Sequence, residues 1–159
     1  MTFPKADLFK RFLASLIDSI IAGAPGFIPV VGALVGAAYT LTKDALVYEI
    51  TRDAQWKNRS IGKKLLGLEV ANLGGGDIDL VTSAKRNITL ALGTLLGVVP
   101  LVGWVAGAVV GCILGIIEIV LVLVDPQGRR LGDRLANTQV VETEKLALAQ
   151  TQQQQGPRT

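Results

Sequence analysis

The chain has 159 residues, half of them hydrophobic and only 5% aromatic, with a formal net charge of +3. This length supports one domain, and the 18 glycines and mean hydropathy of +0.45 are typical of a small helical membrane protein. The basic residues fall in a few clusters, so the modest charge does not indicate nucleic-acid binding. Histidine is absent and Cys112 is the only cysteine, so we expect no disulfide, no metal and no cofactor.

The first predicted helix covers about residues 9–23 and carries Lys10 and Arg11 near its start. A basic start, an apolar middle and small residues at the end are also features of a secretory signal peptide. However, Asp18 interrupts the apolar run, and apolar sequence continues beyond this segment. Both observations favour a first membrane helix that is retained in the mature protein.

A second apolar segment follows Pro29 and completes a predicted helical hairpin over about residues 9–50. Residues 51–87 are charged and are predicted to form a cytoplasmic loop. Within this loop, EVAN and DIDL flank the turn sequence LGGGD, which predicts a small β-hairpin. The sequence TQVVE, starting at Thr138, is a candidate third strand.

A second helical hairpin is predicted over about residues 88–124, with a break near Pro100. Its second arm, Gly103–Val124, carries one charged residue and is long enough to cross the roughly 30 Å hydrocarbon layer. Small residues at every fourth position let helices approach closely in lipid, although a buried helix of a soluble core is the alternative. The glycines with this spacing are Gly32 and Gly36 in the first hairpin and Gly103, Gly107, Gly111 and Gly115 in the second.

Three blocks of sequence occur twice in the same order, which predicts an internal duplication. Lys10-Arg11 opens the first hairpin and Lys85-Arg86 opens the second. IPVVGALVGA matches VPLVGWVAGA at the midpoints, and RSIGKKLLGLEV matches RRLGDRLANTQV at the ends. Residues 125–142 are then the closing motif of one membrane domain, residues 1–142. The Gln-rich residues 143–159 are predicted to form a disordered tail.

Lysine and arginine are concentrated before the first helix, between the hairpins and after the fourth helix. The positive-inside rule then places both termini and residues 51–87 in the cytoplasm, with the proline turns on the other side. We therefore predict an all-α integral membrane protein with four short transmembrane helices in two tandem helical hairpins. A small cytoplasmic β-hairpin and interfacial amphipathic helices complete this fold. Two re-entrant hairpins inserted from the cytoplasmic face would give the same charge asymmetry.

Three acidic residues, Asp18, Asp44 and Glu118, lie inside the predicted helices, each on or beside the small-residue face of its helix. All three lie about 10 Å below the cytoplasmic boundary at a rise of 1.5 Å per residue. A charge at this depth normally faces a partner or water. One interpretation is a semi-buried acidic cluster that binds a monovalent cation or a proton, with Arg11 and Lys43 as supporting ion-pair residues.

The alternative interpretation is a purely structural network of ion pairs. In the second repeat, glycines replace the first two acids, so the hairpin itself does not require them, which favours a specialised role for the first hairpin. The pairs that such a network predicts are Asp18 with Arg11 or Lys43, and Asp44 with Arg52 or Lys57.

Three blocks of sequence carry a family resemblance: FKRFLASLIDSIIA, KDALVYEI with RSIGKKLLGLEV, and DPQGRRLGDRLANTQVV. They are similar, in this order, to the first helix, the acid followed by a GK(K/R)LLGL-type signature, and the closing GDxxAxTxVV motif of the RDD family. The sequence thus resembles this family of small, mostly bacterial, multi-pass membrane proteins over nearly its whole length except the tail. The resemblance implies a bacterial inner-membrane location, with transport the usual suggestion. The matching positions are Arg11, Asp18, Asp44, Gly62, Lys63, Leu66, Gly67, Gly132, Asp133, Ala136, Thr138 and Val140.

The two basic segments that follow the hairpins are expected to lie as short amphipathic helices on anionic lipid headgroups. Their headgroup-binding candidates are Arg59, Lys64, Arg129, Arg130 and Arg134. The sequence has no Ser/His/Asp, Cys/His or metal-ligand constellation, so we expect no enzyme. The leading expectation is a transport-related role that handles a cation or proton. The alternative is a scaffold or accessory subunit packed through the glycine rows, and either function favours a homo-oligomer.

Overall fold

The computed structural model describes residues 3–28 and 30–154, which are mostly helical. Two 3₁₀ turns, Ala24–Phe27 and Ala54–Trp56, follow the first two helices. Pro29, at the first predicted turn, lies outside the described residues. In chain order the elements are α1 (Leu8–Gly23), α2 (Val31–Thr51), α3 (Ile61–Leu65), β1 (Leu68–Asn72), α4 (Leu80–Leu96), α5 (Val102–Val124), α6 (Leu131–Leu135), β2 (Thr138–Glu142) and α7 (Thr143–Gln154).

The elements form two units of the same order, each with two long helices, a single-turn helix and a strand. The strands β1 and β2 pair antiparallel, with Val70 opposite Val140, so the two-stranded sheet joins the closing segments of the two units. Apolar side chains cover both faces of this sheet. Leu68 and Val140 pack towards α1, and Val141 packs towards Leu146 of α7.

The internal duplication is also visible in the backbone. Residues with positive φ occur at equivalent places in the two units, and most of them are not glycine. The pairs are Val30 (φ 65°) with Leu101 (63°), Asn58 (59°) with Gly128 (65°), and Gly67 (65°) with Asn137 (51°). Such conformations are uncommon for residues with a Cβ atom, so three matched pairs show that both units use the same turns.

The long helices pack in the order α1, α2, α4, α5. Within the second unit, α5 lies so close to α4 that a Cβ atom on Gly107 would come within 2.4 Å of the Gly93 carbonyl oxygen. Within the first unit, a Cβ atom on Gly36 would come equally close to the Ala22 carbonyl oxygen. Gly32 and Gly103 are similarly confined, whereas Gly111 has room for a Cβ atom and Gly115 faces open space. The first glycines of each row thus serve packing inside the chain.

The predicted β-hairpin is wrong. EVAN forms part of β1, but its partner is the distant TQVVE segment, and DIDL leads directly into α4. Asp79 ends the loop because its side chain accepts a hydrogen bond from the Thr82 amide at 2.7 Å, which caps the helix. The predicted loop boundary at residue 87 is therefore also wrong, and Arg86 lies within a helix.

The prediction of a disordered tail from residue 143 is wrong as far as the structure describes it. Residues 143–154 form α7, which follows β2 without a break and buries Leu146 against Ala71 and Val141. A buried apolar contact gives this otherwise polar, Gln-rich helix a reason to fold on the sheet. The remaining residues of the predicted tail, 155–159, lie outside the described residues.

One helix among the described residues, Val102–Val124, is long and apolar enough to cross a membrane by length and composition. The other long helices also expose large apolar side chains, among them Phe12 on α1, Val35 on α2 and Leu92 on α4. Extended exposed apolar surface of this kind usually contacts lipid or another protein. The predicted interfacial helices correspond to α3 and α6, which are only one turn long. Each of them has two buried residues, Gly62 and Lys63 in α3 and Gly132 and Asp133 in α6.

Candidate functional site

Charged side chains meet in the interior, where the long helices contact the two single-turn helices. Asp44 of α2 is completely buried and is held by the Lys63 ammonium at 2.7 Å, the Asn87 amide at 2.9 Å and the Arg86 guanidinium at 3.2 Å. Three donors on α3 and α4 thus satisfy one carboxylate. This arrangement offsets the desolvation cost of burying its charge.

Asp18 of α1 is the second buried carboxylate. It accepts hydrogen bonds from the Ser60 hydroxyl at 2.6 Å and from the Gly62 amide at 2.9 Å, and a longer one from the Tyr39 hydroxyl at 3.4 Å. Gly62 is required for this contact because a Cβ atom there would lie 2.2 Å from the Ala14 carbonyl oxygen. The small residues at the start of α3 therefore let its backbone reach the carboxylate on α1.

Two lysines lie beside Asp18. The Lys43 ammonium is 3.4 Å and the Lys63 ammonium 3.7 Å from its Oδ2 atom. Lys63 also binds Asp44, so it joins the two acids, whereas Lys43 has Asp18 as its only ion-pair partner among the described residues. The structure thus brings the predicted residues Asp18, Lys43 and Asp44 together.

Asp133 of α6 forms the other end of the network. The Arg86 guanidinium lies 2.6 Å from it and also contacts Asp44, while Arg11 and Arg130 approach Asp133 at 3.4 Å. Burial alone would raise the pKa of Asp133, but attraction to Arg86, Arg130 and Arg11 outweighs burial and lowers its pKa to about 2. Asp133 is therefore a permanent anion between cations at neutral pH.

Glu118 of α5 lies apart from the other two predicted acids. It accepts hydrogen bonds from the Thr89 hydroxyl and from the backbone amides of Leu131 at 2.9 Å and Gly132 at 3.3 Å. Gly132 also packs against α4, where a Cβ atom would lie 1.9 Å from the Arg86 carbonyl oxygen. Glu118 thus fixes the start of α6, and among the described residues it shares no ion-pair partner with Asp18 or Asp44.

Several predicted ion pairs need correction. Arg11 contacts Asp133 and the Gly128 carbonyl oxygen, and not Asp18. Asp44 does not pair with Arg52 or Lys57, which instead bind exposed or half-exposed acids outside the bundle interior. The actual cationic partners of Asp44 are Lys63 and Arg86, which the predicted network did not include.

The predicted headgroup residues have different environments. Arg130 donates to the Asn87 side chain at 2.6 Å, so this residue belongs to the interior network. Arg59 binds Glu69, and the half-exposed Arg134 binds Asp125 at 2.6 Å. Lys64 lies 4.4 Å above the centre of the Trp56 ring, an arrangement compatible with a membrane surface. Arg129 is partly buried.

Two cavities extend from the network. The first, of about 590 Å³, lies between α1 and α5 near the sheet, and Arg11, Glu118 and Arg130 line it. The second, of about 620 Å³, extends towards the proline turns and is lined by residues such as Gly26 and Trp104. Five residues line both cavities and mark where they meet: Ser15, Asp18, Ser19, Lys43 and Leu90.

Sequence reasoning missed the central role of Arg86 and Asn87 because both were assigned to a loop. One signal was available, since Arg86 is the repeat equivalent of Arg11, which was already a candidate. Lys63 and Asp133 were noted only as family-motif positions. Within residues 3–28 and 30–154, no three His, Cys, Asp or Glu side chains are grouped as a metal site requires.

The protein thus has a duplicated helical fold with exposed apolar side chains on its long helices and a buried network of charged residues. The sequence profile of the RDD family matches residues 5–137, which is most of the chain, and the protein therefore belongs to the RDD family. RDD proteins are generally membrane proteins. No significant match is found among curated proteins or among solved structures.

Proposed function

We propose that this RDD protein spans the bacterial inner membrane with all four long helices and has a transport-related role. The exposed apolar side chains on all four helices support this topology, as do the buried positions of Lys43, Asp44 and Arg86. With 16 and 17 residues, α1 and α4 are about 24 and 26 Å long, so the bilayer would thin around them. The distribution of Lys and Arg favours cytoplasmic termini.

The observation that carries the transport proposal is the position of the Asp18–Lys43 ion pair where the two cavities meet. The first cavity lies at the end of the bundle that holds the sheet, and the second at the end that holds the proline turns. A solute that crosses the protein along these cavities would pass this ion pair. Ser15 and Ser19 add hydroxyl groups along the same side of α1.

The geometry supports handling of a monovalent cation or a proton. A cation that binds Asp18 must weaken the 3.4 Å contact with Lys43, because both would compete for the same carboxylate. Lys43 would then carry an unpaired charge in the interior, which is costly until its ammonium releases a proton to the cavity. Entry of one cation and release of one proton leave the charge of the site unchanged. Asp18 and Lys43 would thereby couple cation binding to proton release.

A flux assay in proteoliposomes tests this mechanism. A sodium or potassium gradient should drive proton movement with the unaltered protein, and Lys43→Met and Asp18→Asn should each reduce it to the background of empty liposomes. Lys57→Met is the matched control, since Lys57 pairs with Asp77 in an exposed loop. Cation-driven proton movement that persists in both variants would remove the ion pair from the mechanism.

A second candidate function is a homo-oligomeric membrane scaffold or accessory subunit. The observation that favours it is the outward face of α5, where Val105, Val109 and Ile116 are all more than half exposed. Because α4 already covers Gly103 and Gly107, such an interface would use this outward face of α5. Native mass spectrometry should then show an oligomer that Val109→Trp disrupts, with no flux in liposomes.

A further inference from the structure

The first cavity combines a polar floor with apolar walls. The ionisable groups of the floor include Arg11, Lys43 and Arg130 together with Asp18 and Glu118. The walls are formed by Leu8, Phe12 and Leu16 of α1 on one side and by Ile119, Val122 and Leu123 of α5 on the other. Its volume of about 590 Å³ lies within the usual range of small-molecule sites.

The acceptors on this floor are already occupied. Asp18 receives hydrogen bonds from Ser60, Gly62 and Tyr39 in addition to its two lysine contacts. Glu118 receives three hydrogen bonds from α4 and α6. Neither carboxylate therefore needs a further donor from a ligand.

Donors on the floor remain available. Lys43 has three N–H groups, yet within residues 3–28 and 30–154 its one ion-pair contact is the 3.4 Å approach to Asp18. Arg86 is fully buried at the base of the cavity, where its Nε atom has no hydrogen-bond acceptor among those residues and its Nη1 atom makes only the 3.2 Å ion-pair contact with Asp44. Buried donors without acceptors are costly, so a ligand that supplies acceptors would be stabilised here.

We propose that the first cavity binds an anionic amphiphile, with its carboxylate or phosphate group at Lys43 and its hydrocarbon chain between α1 and α5. The excess of free donors selects a negative head, and the apolar walls select a chain. The site is distinct from surface binding of headgroups by Lys64 or Arg134. It also goes beyond the transport proposal, because binding in this cavity does not require any solute to cross the protein.

Native mass spectrometry of the full-length protein in a maltoside detergent tests this inference. The probes are palmitate and an anionic lysophospholipid, with a zwitterionic choline lysophospholipid and inorganic phosphate as comparisons. We expect one bound anionic amphiphile per chain, retained about tenfold more than the choline lipid, which corresponds to about 1.4 kcal/mol. Retention of the choline lipid to the same extent, or binding of phosphate with equal affinity, would overturn the proposed ligand class.

Two variants locate the site. Lys43→Met should lower the retention of the anionic probes to that of the choline lipid. Val122→Trp keeps every charge and fills the space between α1 and α5, so it should exclude all chain-bearing probes. Lys57→Met is the control, because Lys57 does not line the cavity and pairs with Asp77 in an exposed loop. Size-exclusion profiles and melting temperatures show which variants fold. Unchanged retention in a folded Lys43→Met or Val122→Trp protein would overturn the assignment to this cavity.

Discussion

The two halves of the chain share one backbone plan but use opposite charges at equivalent places. Lys63 on α3 and Asp133 on α6 occupy matching positions of the repeated motif, and both side chains enter the interior. Lys63 binds Asp44 of its own half, whereas Asp133 binds Arg86 of its own half. Since Asp44 and Arg86 also contact each other, the network alternates in sign along four residues.

This difference shows how a duplicated hairpin becomes one folded domain. An unchanged copy would place a second lysine where Asp133 lies, next to the buried Arg86 guanidinium, and like charges there would repel. Reversal of the charge lets Asp133 neutralise Arg86 within the second half, and the contact of Arg86 with Asp44 then joins the two halves. The first half also keeps Asp18 and Lys43 at the cavities, where the second half has glycine and leucine, so the chemistry is concentrated in one half.

The largest expected effect is a difference in stability between variants of the two equivalent arginines, Arg86 and Arg11. Arg86→Met should lower the free energy of unfolding by about 3–5 kcal/mol, because it leaves two buried carboxylates short of a partner. Arg11→Met should cost about 1–3 kcal/mol, because Arg11 sits at the edge of the network and makes fewer contacts. Denaturation in mixed micelles measures both values, and equal losses would contradict a network centred on Arg86.

The next effect compares the two glycines that open the repeated motif. Gly62→Ala and Gly132→Ala should each cost about 1–3 kcal/mol, because their new Cβ atoms would lie 2.2 and 1.9 Å from backbone oxygens. Gly115→Ala, which meets open space, is the control and should not destabilise the protein. Melting temperatures that fall equally for all three variants would show that the lack of space for a Cβ atom at Gly62 and Gly132 does not cause the loss of stability.

Asp133, in the second half, makes the stability of the protein depend on pH. Its pKa of about 2 lies below the usual 3.8, so its stabilisation is present above about pH 4 and is lost as the pH falls to about 2. The melting temperature should therefore fall more steeply from pH 5 to pH 2 in the unaltered protein than in Asp133→Asn, because Arg86, Arg130 and Arg11 stay charged over this range. Identical pH profiles would contradict the ion-pair assignment.

The smallest effect concerns the turns that both halves share. Val30 and Leu101 adopt φ 65°, ψ −61° and φ 63°, ψ −78°, which is a strained γ-turn conformation for residues with a Cβ atom. Val30→Gly and Leu101→Gly should each relieve strain worth about 1 kcal/mol, partly offset by the entropy of glycine in the unfolded chain. A large loss of stability in either variant would show that its side chain has another structural role.

Much of the helical arrangement was predictable because apolar runs, prolines and glycine rows are local signals. The strand that pairs with β1 was not predictable in this way. DIDL has the local pattern of a strand, but Asp79 within it caps α4, so this segment starts a helix. Arg86 was misplaced for a related reason. Charged residues end an apolar run in the sequence, but here α4 continues through them because their partners lie inside the bundle.

The sequence predicted which acidic residues belong to the site better than it predicted the residues they contact. Asp18 and Asp44 stand out because charges within apolar helices are unusual. Hydrogen-bond donors from α3, its N-cap Ser60 and α4 hold these two acids at sequence separations of 19 to 44 residues, which no helical spacing rule can relate. The pair of Asp18 with Lys43 on the neighbouring helix was one of the two alternatives predicted for Asp18.

The meeting of the two cavities at Asp18 and Lys43 is tested most directly by the accessibility of Ser19, which lines both. Ser19→Cys in a Cys112→Ser background can be treated with a membrane-impermeant thiol reagent in right-side-out and inside-out vesicles. We predict labelling from both sides, while Ile20→Cys, on the outward face of α1, stays unlabelled from either side. Labelling of Ser19→Cys from one side only, or from neither, would contradict the claim that the two cavities meet at this ion pair.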